Sequence, residues 1–249
     1  MNFVVIESKR YAIPMLSDAK PLLISFSGID GAGKSTQIDR LHSRLLQAGL
    51  SVIRLAFWDN VSFMSRFRAG VSHRFLGGEQ GIGAPGKPVA RNDKNDRRWY
   101  LTLARSPLYL LDVLSLRGVV ARARAANPDV IIFDRYIYDQ LAHVPDCWIG
   151  RSYVRWLLNL APRPSIAYLL DACPEAARER KPEYPLNFLY RYRNSYFALR
   201  SMAPEMVVVP ALDMDSVERT IWQEFHSRYP TQQPALKNRA AASRQRITA

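Results

Sequence analysis

The chain has 249 residues, 48% of them apolar and 23% charged, enough for one substantial core and ordinary for a folded globular protein. Lysine and arginine exceed the acids by 35 to 22, a net charge of +13, so a partner rich in phosphate, a nucleic acid or an anionic surface all remain open. No stretch approaches the ~18 consecutive apolar residues of a membrane span, and charges interrupt the N-terminal stretch where a signal peptide needs an apolar run. The expectation is a cytoplasmic protein with no membrane partner. Cys147 and Cys173 lack metal-ligand or disulfide spacing and are expected as buried reduced thiols.

In chain order, residues 1–20 read as an N-terminal extension. Pro21 precedes LLISFSG, an apolar run ending at Gly28, followed by a glycine-rich turn and then Ile38, Leu41, Leu45 and Leu46 at helical spacing. Gly49 closes that helix, and Ser51 to Phe57 is the next strand, completing a βαβ unit. From Gly77 to Arg98, repeated Gly and Pro predict a loop. Trp99 to Ala126 is helical, with Pro107 as a break or new start, and leads to the strand DVIIFD. A helix near Tyr153 to Leu160, the strand SIAYLLD and a helix opened by Pro174 follow. FLYRYRNSYFALR is an amphipathic helix with Phe188, Tyr192, Tyr196 and Leu199 on one side, before the strand MVVVP and a closing helix from about Ser216 to Tyr229. Residues 230–249 hold Lys237, Arg239, Arg244 and Arg246 with no acid and read as a basic, disordered tail. Strands alternating with helices predict an α/β fold, a parallel sheet covered on both faces, in one domain over 21–229.

Gly28-Ile29-Asp30-Gly31-Ala32-Gly33-Lys34-Ser35 fits the phosphate-binding pattern GxxxxGK[ST], with the strand before it and the helix after it that the pattern requires. Small residues let backbone N–H groups curl around phosphate oxygens, and the helix start adds its positive end. Lys34 would neutralise the β- and γ-phosphates, Ser35 would ligate Mg2+, and Asp134, ending its strand, would face the same ion. This predicts a P-loop NTPase fold binding ATP with Mg2+.

SFSGIDGAGKST, followed about a hundred residues later by FDRY, resembles the P-loop and DRY segment of the thymidylate kinase family. The resemblance covers roughly residues 21–228 and implies a nucleotide kinase of nucleotide biosynthesis that transfers a phosphoryl group from ATP to a nucleoside monophosphate, dTMP among the candidates. It assigns donor binding to Gly28, Gly31, Ala32, Gly33, Lys34, Ser35 and Thr36. Asp30 would hold the acceptor sugar, and Arg135, beside Tyr136, the acceptor phosphate. YLLDACPEAARERK is similar to the family's lid. Arg180 matches the lid arginine, with Arg178 and Lys181 as substitutes, and is needed because Gly31 stands where other members carry a P-loop arginine. Arg191 and Arg193 resemble post-lid arginines, and the resemblance makes a homodimer a reasonable expectation.

The pattern departs from the family at Phe57-Trp58-Asp59-Asn60 and at Ile137-Tyr138-Asp139-Gln140-Leu141. Asp59 could instead serve as the base for a nucleoside or small-alcohol acceptor. The charge also leaves open a nucleotide switch or a nucleic-acid-associated P-loop protein.

Overall fold

The computed structural model describes residues 20–61 and 99–228, with side chains from 106 onward in the second stretch. The expected loop at 77–98, the N-terminal extension apart from Lys20, and the basic tail lie outside these residues.

Strand β1 (Leu22–Ser27) is buried along its whole length, as expected of a central parallel strand covered on both faces. The phosphate-loop sequence follows and opens helix α1 (Lys34–Gln47), which packs Ile38, Leu41 and Leu45 inward. Gly49 has φ +79°. Its N–H donates to Leu46 O at 2.9 Å and that of Leu50 to Leu45 O at 3.0 Å, the paired bonds of a Schellman stop. Strand β2 (Val52–Ala56) is half-buried, and the expected strand residue Phe57 instead begins a π-helical turn, Phe57–Val61.

Helix α2 (Trp99–Ala125) runs without interruption through Pro107, so the expected break there is absent. Strand β3 (Val130–Asp134) leads into a short helix absent from the sequence reading, α3 (Ile137–Leu141). Helix α4 (Trp148–Leu160) begins earlier than its apolar pattern indicates. Strand β4 (Ile166–Leu170), helix α5 (Pro174–Arg180), helix α6 (Leu186–Arg200), strand β5 (Met206–Val209) and helix α7 (Met214–Arg228) follow as expected.

The described strands form one parallel sheet in the order β2-β3-β1-β4-β5, flanked by the helices. Chain order reverses around β1, and ligands of open α/β sheets bind outside the carboxyl ends of strands at such a reversal. Phe26 of β1 lies beside Asp134 of β3, and Ser27 beside Leu169 of β4. This register delivers the glycine-rich loop, the Asp134-Arg135 pair and Asp171 to one edge of the sheet. Helix α7 is tied to α1 by Arg40 with Asp215 and Glu218 at 2.6 and 2.5 Å, and by Arg44 with Glu218 at 2.5 Å.

Both cysteines are exposed, correcting the expectation of buried thiols. Each precedes a helix: Cys147 caps α4, its sulfur accepting Gly150 N–H at 3.4 Å, and Cys173 precedes Pro174 of α5. The stripe Phe188, Tyr192, Tyr196, Leu199 is core. Tyr184, Phe188, Tyr192 and Tyr196 are stacked or tilted in series with centroids 4.7 to 5.5 Å apart.

Candidate active site

Gly28, Gly31 and Gly33 all have positive φ, +141°, +84° and +84°. Gly33 immediately precedes α1, and no side chain caps that helix; its first turn also carries no acid. The leading N–H groups of α1 are therefore free of a side-chain competitor for an anion, and no carboxylate on that turn opposes one. Gly28 and Gly31 meet a second requirement, because neighbouring backbone runs close to both. A Cβ at Gly28 would lie 2.5 Å from Leu170 O, and one at Gly31 would lie 2.2 Å from Ala177 O in α5.

Lys34 is 7% exposed, and its ammonium donates to the carbonyls of Gly28 and Ile29, each at 2.8 Å. Two of its three protons are thus committed to shaping the loop, which leaves one for a ligand. Burial and then the neighbouring charge of Arg135 lower its pKa to about 8, against the opposing pull of Asp30, Asp139 and Asp134. Ser35 and Thr36, next on α1, are exposed. Asp134, its side chain 23% exposed, has Arg54 at 3.8 Å.

Arg135 follows β3 in a left-handed conformation, φ +65°. Its N–H still donates to Phe26 O at 2.9 Å, so the turn remains stitched to β1. One end of its guanidinium pairs with Asp30 in the glycine-rich loop, and Nη1 lies 3.2 Å from Asp139 Oδ1. Burial opposes the Arg135 charge, but Asp139 and Asp30 outweigh it and raise the pKa further. Burial likewise pushes the Asp30 carboxyl up; Arg135, Lys34 and Lys181 overcome this and leave it below the usual range.

The expected residues thus divide. Asp30, Lys34 and Arg135 form one electrostatic cluster, and Asp134 sits at the end of the adjoining strand. Tyr136, expected beside the acceptor, is fully buried and its hydroxyl donates to Pro162 O at 2.5 Å. Arg180 is exposed and its Nε donates to Ala176 O of its own helix at 3.0 Å, so it is not drawn into the cluster. Lys181, the residue after α5, helps lower the Asp30 pKa and also pairs with Glu183 at 3.2 Å. Asp59 is exposed on the π-helical turn beyond β2, three residues past Ala56, the register partner of Asp134. Arg193 is held by Asp171 through two contacts of 2.5 and 2.7 Å.

Three buried groups were not anticipated. Ser27 and Tyr196 each donate a hydroxyl to the Asp139 carboxylate, which also meets Arg135. The available signal was the spacing Arg135 to Asp139, one helical turn, together with two tyrosines one turn apart in an otherwise apolar stripe.

Among the described residues no group of three or more His, Cys, Asp or Glu could hold a metal unaided. One hydroxyl and one carboxylate, Ser35 and Asp134, nevertheless suit Mg2+, which keeps several waters and takes oxygens from phosphates. No described helix is long and apolar enough to cross a membrane.

The sheet order, the left-handed glycine-rich loop opening an uncapped helix, and the buried lysine define an α/β P-loop NTPase fold with the site of a nucleotide phosphotransferase. Comparison with known proteins narrows the class. The chain is 27% identical over 212 residues to a probable thymidylate kinase of Thermococcus kodakarensis, covering 80% of this chain and 95% of that one. Against a thymidylate kinase of Prosthecochloris aestuarii it is 26% identical over 234 residues, 83% and 94% of the two chains. Against a thymidylate kinase of Bifidobacterium longum it is 26% identical over 220 residues, 83% and 96% of the two. No protein-family model matches the chain. These relatives support a thymidylate kinase-like family, and none of the three is named as a nucleoside or alcohol kinase or as a nucleic-acid-associated protein.

Proposed function

We propose that the chain is a nucleotide kinase, one domain over residues 21–229, that transfers the γ-phosphoryl group of Mg·ATP to dTMP and yields ADP and dTDP. The observation that carries the reading is the ion pair between Arg135 and Asp30, which joins the end of β3 to the glycine-rich loop and sets an acceptor-side cation beside the donor-side Lys34. The relatives named as thymidylate kinases supply the acceptor.

In this reading the loop N–H groups and Lys34 hold the β- and γ-phosphates, while Arg135 holds the acceptor phosphate and Asp30 the acceptor sugar. Ser35 and Asp134 would hold Mg2+, which would supply positive charge against the phosphate oxygens. An acceptor phosphate oxygen is already ionised, so it forms the new P–O bond as the bond to ADP breaks, and no side chain has to remove a proton. Alignment and charge stabilisation supply the rate. Asp59 is not required, and cation supply falls to Arg180 at the end of α5 and to Lys181 just after it. A homodimer and a cytoplasmic setting accompany this reading.

The test is ATP consumption with Mg2+ across a panel of nucleoside monophosphates and nucleosides, with folded Lys34→Ala protein as the blank. Selective turnover of dTMP that vanishes in Lys34→Ala is expected. Turnover with nucleosides alone, or full activity in Lys34→Ala, overturns the assignment.

A further inference from the structure

Asp139 touches no atom that the proposed transfer would move, yet it is fully buried and every face of its carboxylate is occupied. Oδ2 accepts Ser27 O–H at 2.7 Å and Tyr136 N–H at 3.1 Å. Oδ1 accepts Tyr196 O–H at 2.8 Å and Arg135 Nη1 at 3.2 Å. Its main-chain carbonyl also accepts Tyr192 O–H at 2.9 Å. Strand β1, helix α3, helix α6 and the turn bearing Arg135 therefore converge on one residue. A carboxylate accepts at both oxygens, whereas the amide of asparagine would turn a donor toward one of the two donor pairs.

A negative charge against Arg135 weakens the pull of that arginine on an anion. If attraction were all the site required, a buried carboxylate here would be counterproductive. What Asp139 adds is direction. The guanidinium is planar with a fixed fork of donors, and here Nη1 is held by Asp139 on the α3 side while Nη2 is held by Asp30 on the P-loop side. Two anchors on different nitrogens fix both the position and the plane of the fork.

We propose that Asp139 is a positioning residue for Arg135, orienting its guanidinium so that the acceptor phosphate meets a preset fork; this rests on the reading of Arg135 as the acceptor-phosphate ligand. The hydroxyls of Ser27, Tyr192 and Tyr196 lock Asp139 in turn, and the tyrosines connect the arrangement to α6, the helix that follows α5.

The experiment compares Asp139→Asn, Arg135→Gln and the double variant, each checked for fold by circular dichroism and thermal melting. Asp139→Asn is expected to raise KM for dTMP about tenfold or more, as misplacement of a substrate-holding group does, while KM for ATP, measured well below the Lys34 pKa so that the loss of the Asp139 charge leaves Lys34 protonated, stays within about twofold. On the Arg135→Gln background the same change is expected to add nothing. Independent, multiplying effects overturn the proposal, as does a lowered melting point with an unchanged KM for dTMP, since Asp139 would then support only the fold. If the unaltered protein uses no monophosphate, it is the proposed function that falls. The positioning role is then decided by nitrogen-15 NMR of the Arg135 side chain. Separate, restrained Nη signals that average in Asp139→Asn uphold it, and equal averaging in both proteins overturns it.

Discussion

Replacing Gly31 and Gly33 separately by alanine isolates one contact between the phosphate loop and α5. Both glycines have φ +84°, so each alanine bears a similar left-handed penalty, about 1–2 kcal/mol. At Gly33 the added Cβ meets nothing within 4 Å, and that penalty is the whole expected loss. At Gly31 it would lie 2.2 Å from the Ala177 carbonyl oxygen and 2.9 Å from the carbonyl carbon, both backbone atoms that no rotamer change can move. Forcing extra volume into packed structure adds about 1–3 kcal/mol. Gly31→Ala should therefore lose about 2–5 kcal/mol against about 1–2 for Gly33→Ala, read from urea unfolding without nucleotide at equal m. Helix α5 spans only seven residues and could instead lift, and amide exchange over Pro174–Arg180 would then accelerate in Gly31→Ala alone. Equal losses combined with unchanged exchange would refute the contact.

Two further outcomes are expected. Because the Lys34 pKa is lowered to about 8, its proton leaves the free enzyme above that pH, so kcat/KM for ATP should fall about tenfold per pH unit beyond it. Lys34→Arg, which stays charged, should abolish that fall, and a wild-type profile flat to pH ~10, near an ordinary lysine's pKa, would refute the depressed value. Asp134→Asn should raise the Mg2+ concentration for half-maximal turnover by about tenfold or more. Its melting point should change little, since the Asp134 side chain is 23% exposed and its ion-pair contact, with Arg54, is 3.8 Å long.

The parts of the site legible in the sequence are those that adjacent residues build. A buried strand, a loop of small residues and an amphipathic helix are consecutive, so Gly28 to Ser35 announces itself through spacing and flanks. Asp134 and Arg135 were legible for the same reason, ending an apolar run. Asp139 was not, because it lies 112 residues from Ser27 and 57 from Tyr196, and only the sheet register and the seat of α6 bring them together. Which of the basic residues Arg178, Arg180 and Lys181 acts is not legible from composition, which locates a basic helix and no more; in the structure Arg180 and Lys181 are both exposed, and it is the Lys181 charge that helps lower the Asp30 pKa. The cysteine expectation followed the usual burial of free thiols, whereas both occupy positions at helix starts, where the chain is exposed.

Left-handed backbone at Arg135 puts local preference and side-chain chemistry in opposition. On backbone grounds glycine or asparagine belongs there, and holding arginine costs about 1–2 kcal/mol. Replacing it with glycine would relieve that cost but leave Asp30 and Asp139 without their shared cation, a loss of about 3–5 kcal/mol when a buried pair is broken. The second quantity is the larger. Selection for thermal stability alone would consequently retain Arg135, and a lineage that no longer needed phosphoryl transfer would be slow to lose it. Arginine at this position is therefore weak evidence of activity in distant descendants, whereas the exposed Ser35, which no comparable ion pair holds, would drift as soon as the chemistry was released.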